Sequence, residues 1–437
     1  MSLRPAAPLP GRNPQMESPM LSTHHLRQIA GCALLATVAC YAAHAQDDNR
    51  DRDDGAIRHV FVIALENHNW TQPITLPGGI QQIYGNANAP FINSLVNGTA
   101  VAYINGRQVN ISEHVAYATA YHNVLATQSG QNHIHPSEPQ YIWAEAGTNF
   151  GVLNDADPYT EPAGSPNNVQ TTTQHLSGLL QLAGYSWKSY QEDIDLASSN
   201  GKLTNLPLPA SQWTVPLVGF SGTFAAGSNL NEYNASAQYN YAPKHNPMVF
   251  FTDTNGGENI TTSNPLRFHY APLQQLAFDL ADNRVADYNW ITPDQYNDQH
   301  SGLAGGFAGL TGDAAQIRAG DNAVSRLVPM IMASKAYKDG GAIILWWDET
   351  EKDGETGDNA DDLSHTIGEI VISNLAHPNV NGMPYASSVD MTHSSDLRTM
   401  QEIFHVRAAG SSPWLGDAAN ANDLSDLFAP GVIPTHP

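Results

Sequence analysis

Cysteine is almost absent from the sequence, and the little there is lies in one place. The 437 residues include two cysteines, Cys32 and Cys40, both inside an apolar N-terminal stretch. This distribution excludes a disulfide-stapled fold and a thiolate metal site in the rest of the chain. A metal ion bound after residue 45 must therefore be held by oxygen and nitrogen ligands.

Basic residues are also scarce. The chain has 19 Lys and Arg residues against 42 Asp and Glu residues, and its formal net charge is −23 at pH 7. Such acidity argues against a protein that binds nucleic acid or an anionic membrane surface. A phosphate group could bind only where a metal ion, histidines or a few lysines create a local positive site. The 41% hydrophobic content is enough to build a core, so a globular protein is expected.

The N-terminal stretch has the pattern of a signal peptide. Its apolar run follows a short basic segment and ends in Ala43-His44-Ala45. We expect cleavage after Ala45, export to the periplasm or the medium, and a single domain over residues 46–437. The run is too short and too rich in alanine for a good spanning helix, so no stable membrane anchor is expected. A lipoprotein signal ending at Cys40 is disfavoured because Thr37 is a poor residue three places earlier. This predicted leader, residues 1–45, carries three arginines and one glutamate, so its removal changes the formal net charge of the chain from −23 to −25.

Short apolar runs alternate with helical patterns over the rest of the chain. The helical pattern of residues 171–185 ends at Gly184, and that of residues 322–337 contains Pro329, which predicts a kink or a late start. Near-continuous apolar strands between helices predict an α/β fold with a mainly parallel central sheet and helices on both faces. The predicted strands are residues 60–65, 248–251, 288–292, 342–347 and 369–373.

Two of these predicted strands end in pairs of oxygen ligands. Glu66 and Asn67 follow the strand at 60–65, and Asp348 and Glu349 follow the strand at 342–347. In open α/β sheets, ligands bind at the carboxyl ends of the strands. Acidic residues often only solvate strand ends, but two pairs meeting at one edge favour a site for a divalent cation.

Other polar residues stand in short islands along the chain. Ser137 lies in QNHIHPSEPQYIWAEAG, a stretch so rich in turn-forming residues that we expect an exposed turn. Alone, such a serine is more often an ordinary turn residue than a nucleophile. The remaining islands place polar groups beside predicted strands or a helix start, and they contain Lys244, His245, Asp294, Asp298, His300 and His393.

The islands resemble one known family. HVFVIALENHNW, HPSEPQY, GYSWKSYQED, YAPKHNPMVFF, WITPDQYNDQH, ILWWDE and THSSDLRTMQEIF occur in the order found in a bacterial phosphoesterase family. That family contains phosphocholine-preferring phospholipases C and secreted acid phosphatases, and its fold resembles that of alkaline phosphatase. The resemblance runs from about residue 59 to residue 428, nearly the whole chain after the leader.

The resemblance implies roles for nine residues. It places a divalent cation, which could be Ca, Zn, Mg or Mn, on Glu66, Asn67, Asp348 and Glu349, although the family often has aspartate at the last position. It makes Ser137 the nucleophile, and a metal-assisted serine is expected to form a phosphoseryl intermediate that water hydrolyses. It places His245, Asp298, His300 and His393 beside the transferred phosphate or a second metal. The chemistry of the reaction adds Lys244, which with His245 and His300 could stabilise phosphoryl oxygens or protonate the leaving oxygen. If histidines are the acids, their protonation near pH 6 would favour mildly acidic conditions.

The expected substrate is a small phosphate ester or a phospholipid headgroup, and two other functions remain open. A phospholipase C or phosphodiesterase would use the same centre, with residues 194–243 building or blocking the extra room as an insertion. A non-catalytic exported binding protein would lack a ligand or the nucleophile, and neither is missing. A Ser-His-Asp hydrolase is disfavoured because no G-x-S-x-G motif occurs. Residues 349–362 are expected to form a solvated acidic loop, and the sequence does not determine the oligomeric state.

Overall fold

The computed structural model describes residues 56–72, 80–124, 134, 136–159, 168–227, 229–351 and 365–437. These residues belong to one compact unit, Gly55–Pro437. The predicted leader and most of the acidic loop at 349–362 lie outside the described residues. None of the described helices has both the length and the apolar composition of a membrane span.

The secondary structure alternates between strands and helices, as the sequence predicts. In chain order the strands are β1 (His59–Leu65), β2 (Asn69–Thr71), β3 (Val101–Ile104), β4 (Arg107–Asn110), β5 (Val115–Ala118), β6 (Trp187–Gln191), β7 (Leu196–Ser199), β8 (Lys202–Pro207), β9 (Phe220–Thr223), β10 (Gln238–Tyr241), β11 (Tyr270–Pro272), β12 (Tyr288–Thr292), β13 (Gly341–Trp347), β14 (Thr366–Ile367), β15 (Glu369–Ser373) and β16 (Tyr385–Ser387). The helices are α1 (Pro90–Val96), α2 (Ser137–Ala146), α3 (Leu176–Ala183), α4 (Thr252–Asn255), α5 (Gln274–Ala281), α6 (Asp313–Ala333), α7 (Lys335–Lys338) and α8 (His393–Phe404).

Eight strands form the central sheet, in the order β11-β6-β12-β1-β13-β15-β5-β16. The five strands from β11 to β13 are mutually parallel, and β15 runs antiparallel to both of its neighbours. The prediction of a mainly parallel α/β sheet is therefore confirmed. Because Val60–Leu65 are all buried and successive side chains point to opposite faces, β1 is covered on both faces. The helices form two packed groups, one of α2, α3, α4 and α8 and the other of α1, α5, α6 and α7.

Two local predictions are wrong. Residues 248–251 are not a strand: Pro247–Phe250 form a 3₁₀ helix, followed by α4. Proline lacks an N–H and favours the first turn of a helix, so the burial of this apolar run does not come from sheet pairing. The late start predicted from Pro329 is also wrong, because α6 begins at Asp313 and contains this proline in its last turns.

Residues 194–243 form two hairpins outside the central sheet. In the first hairpin β7 pairs with β8, and in the second β9 pairs with β10, both antiparallel. The segment leaves the central sheet after β6 and returns at His245, whose carbonyl oxygen accepts a 2.9 Å hydrogen bond from Thr292 Oγ1 at the end of β12. This segment therefore begins and ends at the carboxyl edge of the parallel strands.

Candidate active site

The two predicted pairs of oxygen ligands lie side by side. The strands β1 and β13 are parallel neighbours, with Leu65 opposite Trp347, so the residues after them leave the sheet at the same edge. Asn67 has a φ of 53°, a left-handed conformation that asparagine tolerates. Its backbone N–H donates a 2.9 Å hydrogen bond to Asp348 Oδ1. Glu66, Asp348 and Glu349 are all buried, so four oxygen-bearing side chains meet at this strand edge.

Ser137 reaches this group from a helix and not from the irregular turn that the sequence predicts. It is the first residue of α2, preceded by Pro136 and followed by Pro139 in the first turn. Prolines fit there because the first N–H groups of a helix have no partner within it. Ser137 Oγ lies 3.2 Å from Glu66 Oε2, 3.3 Å from Asn67 Oδ1 and 3.1 Å from Glu349 Oε1. The longer Glu349 side chain therefore reaches the serine.

Tyr141 is a site residue that the sequence interpretation missed. Its hydroxyl donates a short hydrogen bond to Glu66 Oε1, and its ring stacks on His245 with a centroid separation of 5.4 Å and an interplanar angle of 14°. It lies four residues after Ser137, so both face the same way once the segment is helical. This spacing could have revealed the tyrosine if the helix had been recognised.

His245, Asp298 and His300 border the same group. His245 Nδ1 lies 3.2 Å from Asp298 Oδ2, and its Nε2 lies 3.4 Å from Glu66 Oε2. The backbone of Asp298 is tied to the metal-ligand candidates as well, because Glu66 N donates to its carbonyl oxygen at 2.8 Å. The His300 backbone N–H donates to Asp298 Oδ1 at 2.8 Å. Glu66, His245 and His300 each present a ligand atom within 4.8 Å of the others.

Lys244 places a positive charge beside this group. Its Nζ lies 2.9 Å from Asp155 Oδ2, a partner that the sequence interpretation did not identify. Asp155 also accepts a hydrogen bond from the backbone N–H of Glu138 at 3.2 Å. The lysine is therefore held beside the start of α2 by an ion pair.

His393 lies behind the carboxylates. Its Nε2 is 2.5 Å from the carbonyl oxygen of Asp348, and its Nδ1 is 2.7 Å from the hydroxyl of Tyr121. With both ring nitrogens engaged, it has none left for a phosphate or a second metal in this geometry. It holds the backbone of Asp348 in place instead.

Burial sets the protonation of the site. The pKa values of Glu66 and Asp348 are raised well above their usual range, first by burial and then by neighbouring carboxylates. Burial and the charge of Lys244 lower the pKa of His245 strongly and that of His300 to about 4. Both histidines are therefore neutral near pH 6 in this structure, which does not support their expected protonation there.

The residues present fit a divalent cation. Ser137 has one hydroxyl proton but three oxygen neighbours, which a single hydrogen bond cannot satisfy. One end of the Asn67 carboxamide lies 2.9 Å from Glu66 Oε2 and 3.2 Å from Asp348 Oδ2. Without a metal, the NH₂ group of Asn67 fits at this end, because it can donate to both carboxylates. The amide oxygen fits there only if a cation lies between it and the carboxylates. Carboxylate and amide oxygens are ligands that hard divalent cations prefer.

Three similar proteins share sequence with the chain. An acid phosphatase of Aspergillus fumigatus is 26% identical over 167 residues, 38% of this chain and 28% of that protein. A phosphate-repressible acid phosphatase of Penicillium chrysogenum is 24% identical over 220 residues, 49% of this chain and 38% of that protein. A phosphatidylinositol-3-phosphatase of Mycobacterium tuberculosis is 24% identical over 371 residues, 85% of this chain and 82% of that protein. The matches thus span less than half the length of the two fungal relatives.

One solved structure illustrates the likeness in three dimensions. A protein of the alkaline phosphatase superfamily from Vibrio parahaemolyticus superposes with a TM-score of 0.41 at 11% identity, over 89% of this chain and 78% of that one. A family model matches residues 51–407 of the chain, which is well over half of its length. On that match, the chain belongs to the Phosphoesterase family.

Proposed function

We propose that the protein hydrolyses phosphate monoesters, as acid phosphatases do, with Ser137 as the nucleophile. The observation that carries this proposal is the position of Ser137 Oγ, 3.1 to 3.3 Å from oxygens of Glu66, Asn67 and Glu349. A hydroxyl at the centre of a cation-binding oxygen group is the arrangement that metal-assisted phosphoryl transfer requires.

Each group near Ser137 has a role in this reaction. A divalent cation on Glu66, Asn67, Asp348 and Glu349 would supply positive charge for the serine oxygen and for a phosphoryl oxygen. Ser137 attacks phosphorus in line with the leaving oxygen, its proton passes to a neighbouring base, and the phosphoserine formed is then hydrolysed by water. Tyr141 fixes the carboxylate of Glu66 through its hydroxyl.

The histidines are suited to proton transfer. His245 and His300 are neutral because burial and the charge of Lys244 lower their pKa values. A neutral imidazole can accept the proton of Ser137 and deliver it to the leaving oxygen of the ester. In the hydrolysis step it can accept a proton from water and return it to Ser137 Oγ. Asp298 orients His245 through the 3.2 Å contact with Nδ1.

The Mycobacterium tuberculosis relative supports a monoester substrate, because it covers most of both chains and its name describes a phosphatase. We therefore propose a small phosphate monoester or a phosphorylated headgroup as the substrate.

A comparison of two chromogenic substrates tests this proposal. We expect p-nitrophenyl phosphate to be hydrolysed with a kcat/KM at least ~10-fold above that of p-nitrophenyl phosphocholine, because a monoester site rejects a second ester substituent. The measurement is steady-state kinetics in buffer supplied in turn with Ca²⁺, Zn²⁺, Mg²⁺ and Mn²⁺. Preference for the phosphocholine ester would identify a phospholipase C or phosphodiesterase. If the protein hydrolyses neither ester, the result would favour a non-catalytic binding protein.

We also propose that residues 1–45 direct export and are removed. The basic segment, apolar run and Ala43-His44-Ala45 ending support a signal peptide. Intact-mass analysis of protein from the periplasm or medium should show a chain that begins at Gln46. A chain recovered there with the leader still attached would contradict the proposal.

A further inference from the structure

A second acidic group lies at the carboxyl edge of the next strand pair. Glu192 and Asp193 directly follow β6, and Asp294 stands two residues after β12. The two strands are parallel neighbours, with Gln191 opposite Thr292, so these residues leave the sheet together. Each of the three offers a ligand atom within 4.8 Å of the others. We call this group the β6–β12 acidic cluster.

Neutral donors surround the cluster. Glu192 accepts hydrogen bonds from the Asn231 carboxamide at 2.6 Å, from the Asn297 carboxamide at 3.0 Å and from the backbone N–H of Asp294 at 2.8 Å. Asp193 Oδ2 accepts from Asn240 N at 3.1 Å. Among the described residues, no lysine, arginine or histidine donates to the three carboxyls. Three acidic side chains are thus held together without a compensating cation from the protein.

Two oxygens of the cluster have no donor. Asp193 Oδ1 and Asp294 Oδ2 are buried, and neither accepts a hydrogen bond from any described residue outside the cluster. The residues that carry them are 1% and 2% exposed. The two carboxyls are also close enough to share a proton. Buried oxygens of like charge face each other only when a proton or a cation lies between them.

We propose that Glu192, Asp193 and Asp294 bind a calcium ion at a structural site separate from the Ser137 centre. The ligands are all oxygens, which excludes the softer metals that prefer nitrogen or sulfur. The side chains are almost fully buried, so the ion must accept mainly protein ligands. Mg²⁺ loses its water reluctantly, whereas Ca²⁺ accepts flexible all-protein coordination.

The ion would join three segments that are distant in sequence. Glu192 and Asp193 begin the segment of residues 194–243, and Asn231 and Asn240 from that segment donate to them. Asp294 starts the turn that continues to Asp298 and His300, and the Asp298 N–H donates to the Asp294 carbonyl oxygen at 2.9 Å. Calcium at the cluster would therefore stabilise the segment beside the active site and the turn that carries two of its residues.

The test separates this ion from the one at Ser137 by mutation. Asp348→Asn removes a ligand candidate of the Ser137 centre and leaves the cluster intact. After chelation and dialysis against Ca²⁺, elemental analysis should find about one tightly held calcium in Asp348→Asn. In that background Asp193→Asn and Glu192→Gln should each lose it. The control is Asp282→Asn, which changes an exposed carboxylate paired with Arg284.

Thermal unfolding gives a second readout. Ca²⁺ should raise the melting temperature of Asp348→Asn by several degrees, since a ligand that binds only the folded state stabilises it, and both cluster variants should lose this response. The proposal is overturned if Asp348→Asn binds no calcium, or if Asp193→Asn in that background melts at a higher temperature than its parent when Ca²⁺ is present. The second result would show that the cluster holds shared protons. Neither result bears on whether Ser137 is the nucleophile.

Discussion

Replacing Ser137 with alanine is expected to lower turnover of p-nitrophenyl phosphate by roughly 10³-fold or more while the fold is kept. The expected loss is large because Ser137 Oγ lies within 3.3 Å of side-chain oxygens of Glu66, Asn67 and Glu349. Its removal takes away the atom that attacks phosphorus. Steady-state kinetics at saturating metal, together with circular dichroism, measures the effect.

Trapping of the intermediate makes the same prediction sharper. Rapid quenching of the wild type should leave phosphate on a peptide that contains residue 137, and Ser137→Ala should give none. Ser411→Ala, an exposed serine far along the chain from these motifs, is the matched control and should behave as wild type. Near-normal turnover in Ser137→Ala, or phosphate trapped on Thr127 or Ser129, would show that another group is the nucleophile. Those two residues lie outside the described part of the chain.

Replacing Asp348 with asparagine is expected to lower both metal occupancy and turnover. Asp348 accepts the backbone N–H of Asn67 at 2.9 Å and stands beside Glu66 and Glu349, so the change removes a negative charge from the centre of the ligand group. Loss of a partner outside the ligand shell typically costs about 10–100-fold in metal affinity or activity, and loss of a ligand should cost more. Metal titration followed by kinetics measures both quantities.

An exposed carboxylate provides the control for this change. The side chain of Asp390 is 75% exposed, and Asp390→Asn should leave metal affinity and turnover unchanged. Excess metal should partly restore Asp348→Asn if weaker binding is the cause of its loss. Full activity of wild-type protein that has been chelated and verified as metal-free would refute metal dependence altogether.

The strand ends of the candidate site could be predicted because their signal is local. Val60–Leu65 and Ala342–Trp347 are uninterrupted apolar runs, and each changes abruptly to acidic and amide residues. Parallel neighbours end at the same edge, so a correct strand prediction places both pairs of ligands together. Four strands of the central sheet were not predicted. The edge strands β11 and β16 have three residues each, which carry too little pattern, and β5 and β6 inside the sheet were missed as well.

The secondary structure around Ser137 could not be predicted, because proline is common both in turns and in the first turn of a helix. Pro136 and Pro139 favour a turn in isolation, yet both are also compatible with the beginning of a helix. What decides between them is packing of α2 against α8, which involves residues about 250 positions later in the chain. The same limit applies to residues 248–251, where burial in the core and a preceding proline produce a 3₁₀ helix.

The β6–β12 acidic cluster shows another limit of the sequence. Glu192 and Asp294 are 102 residues apart, and only the pairing of two strands brings them together. The segment GYSWKSYQED contributes to the family resemblance, but its sequence alone does not indicate a metal site. Contacts of this kind depend on strand order, which the local pattern does not contain.

The arrangement of residues 194–243 has a consequence for how relatives of this protein could diversify. The segment departs after β6 and returns at His245, and Ser189 of β6 donates to the Asn246 side chain at 2.9 Å. Its entry and exit therefore share one short stretch of sheet, and its length can change without altering the register of any central strand. Hairpins could be shortened, lengthened or grafted here, so that substrate range evolves while the hydrolytic residues stay where they are.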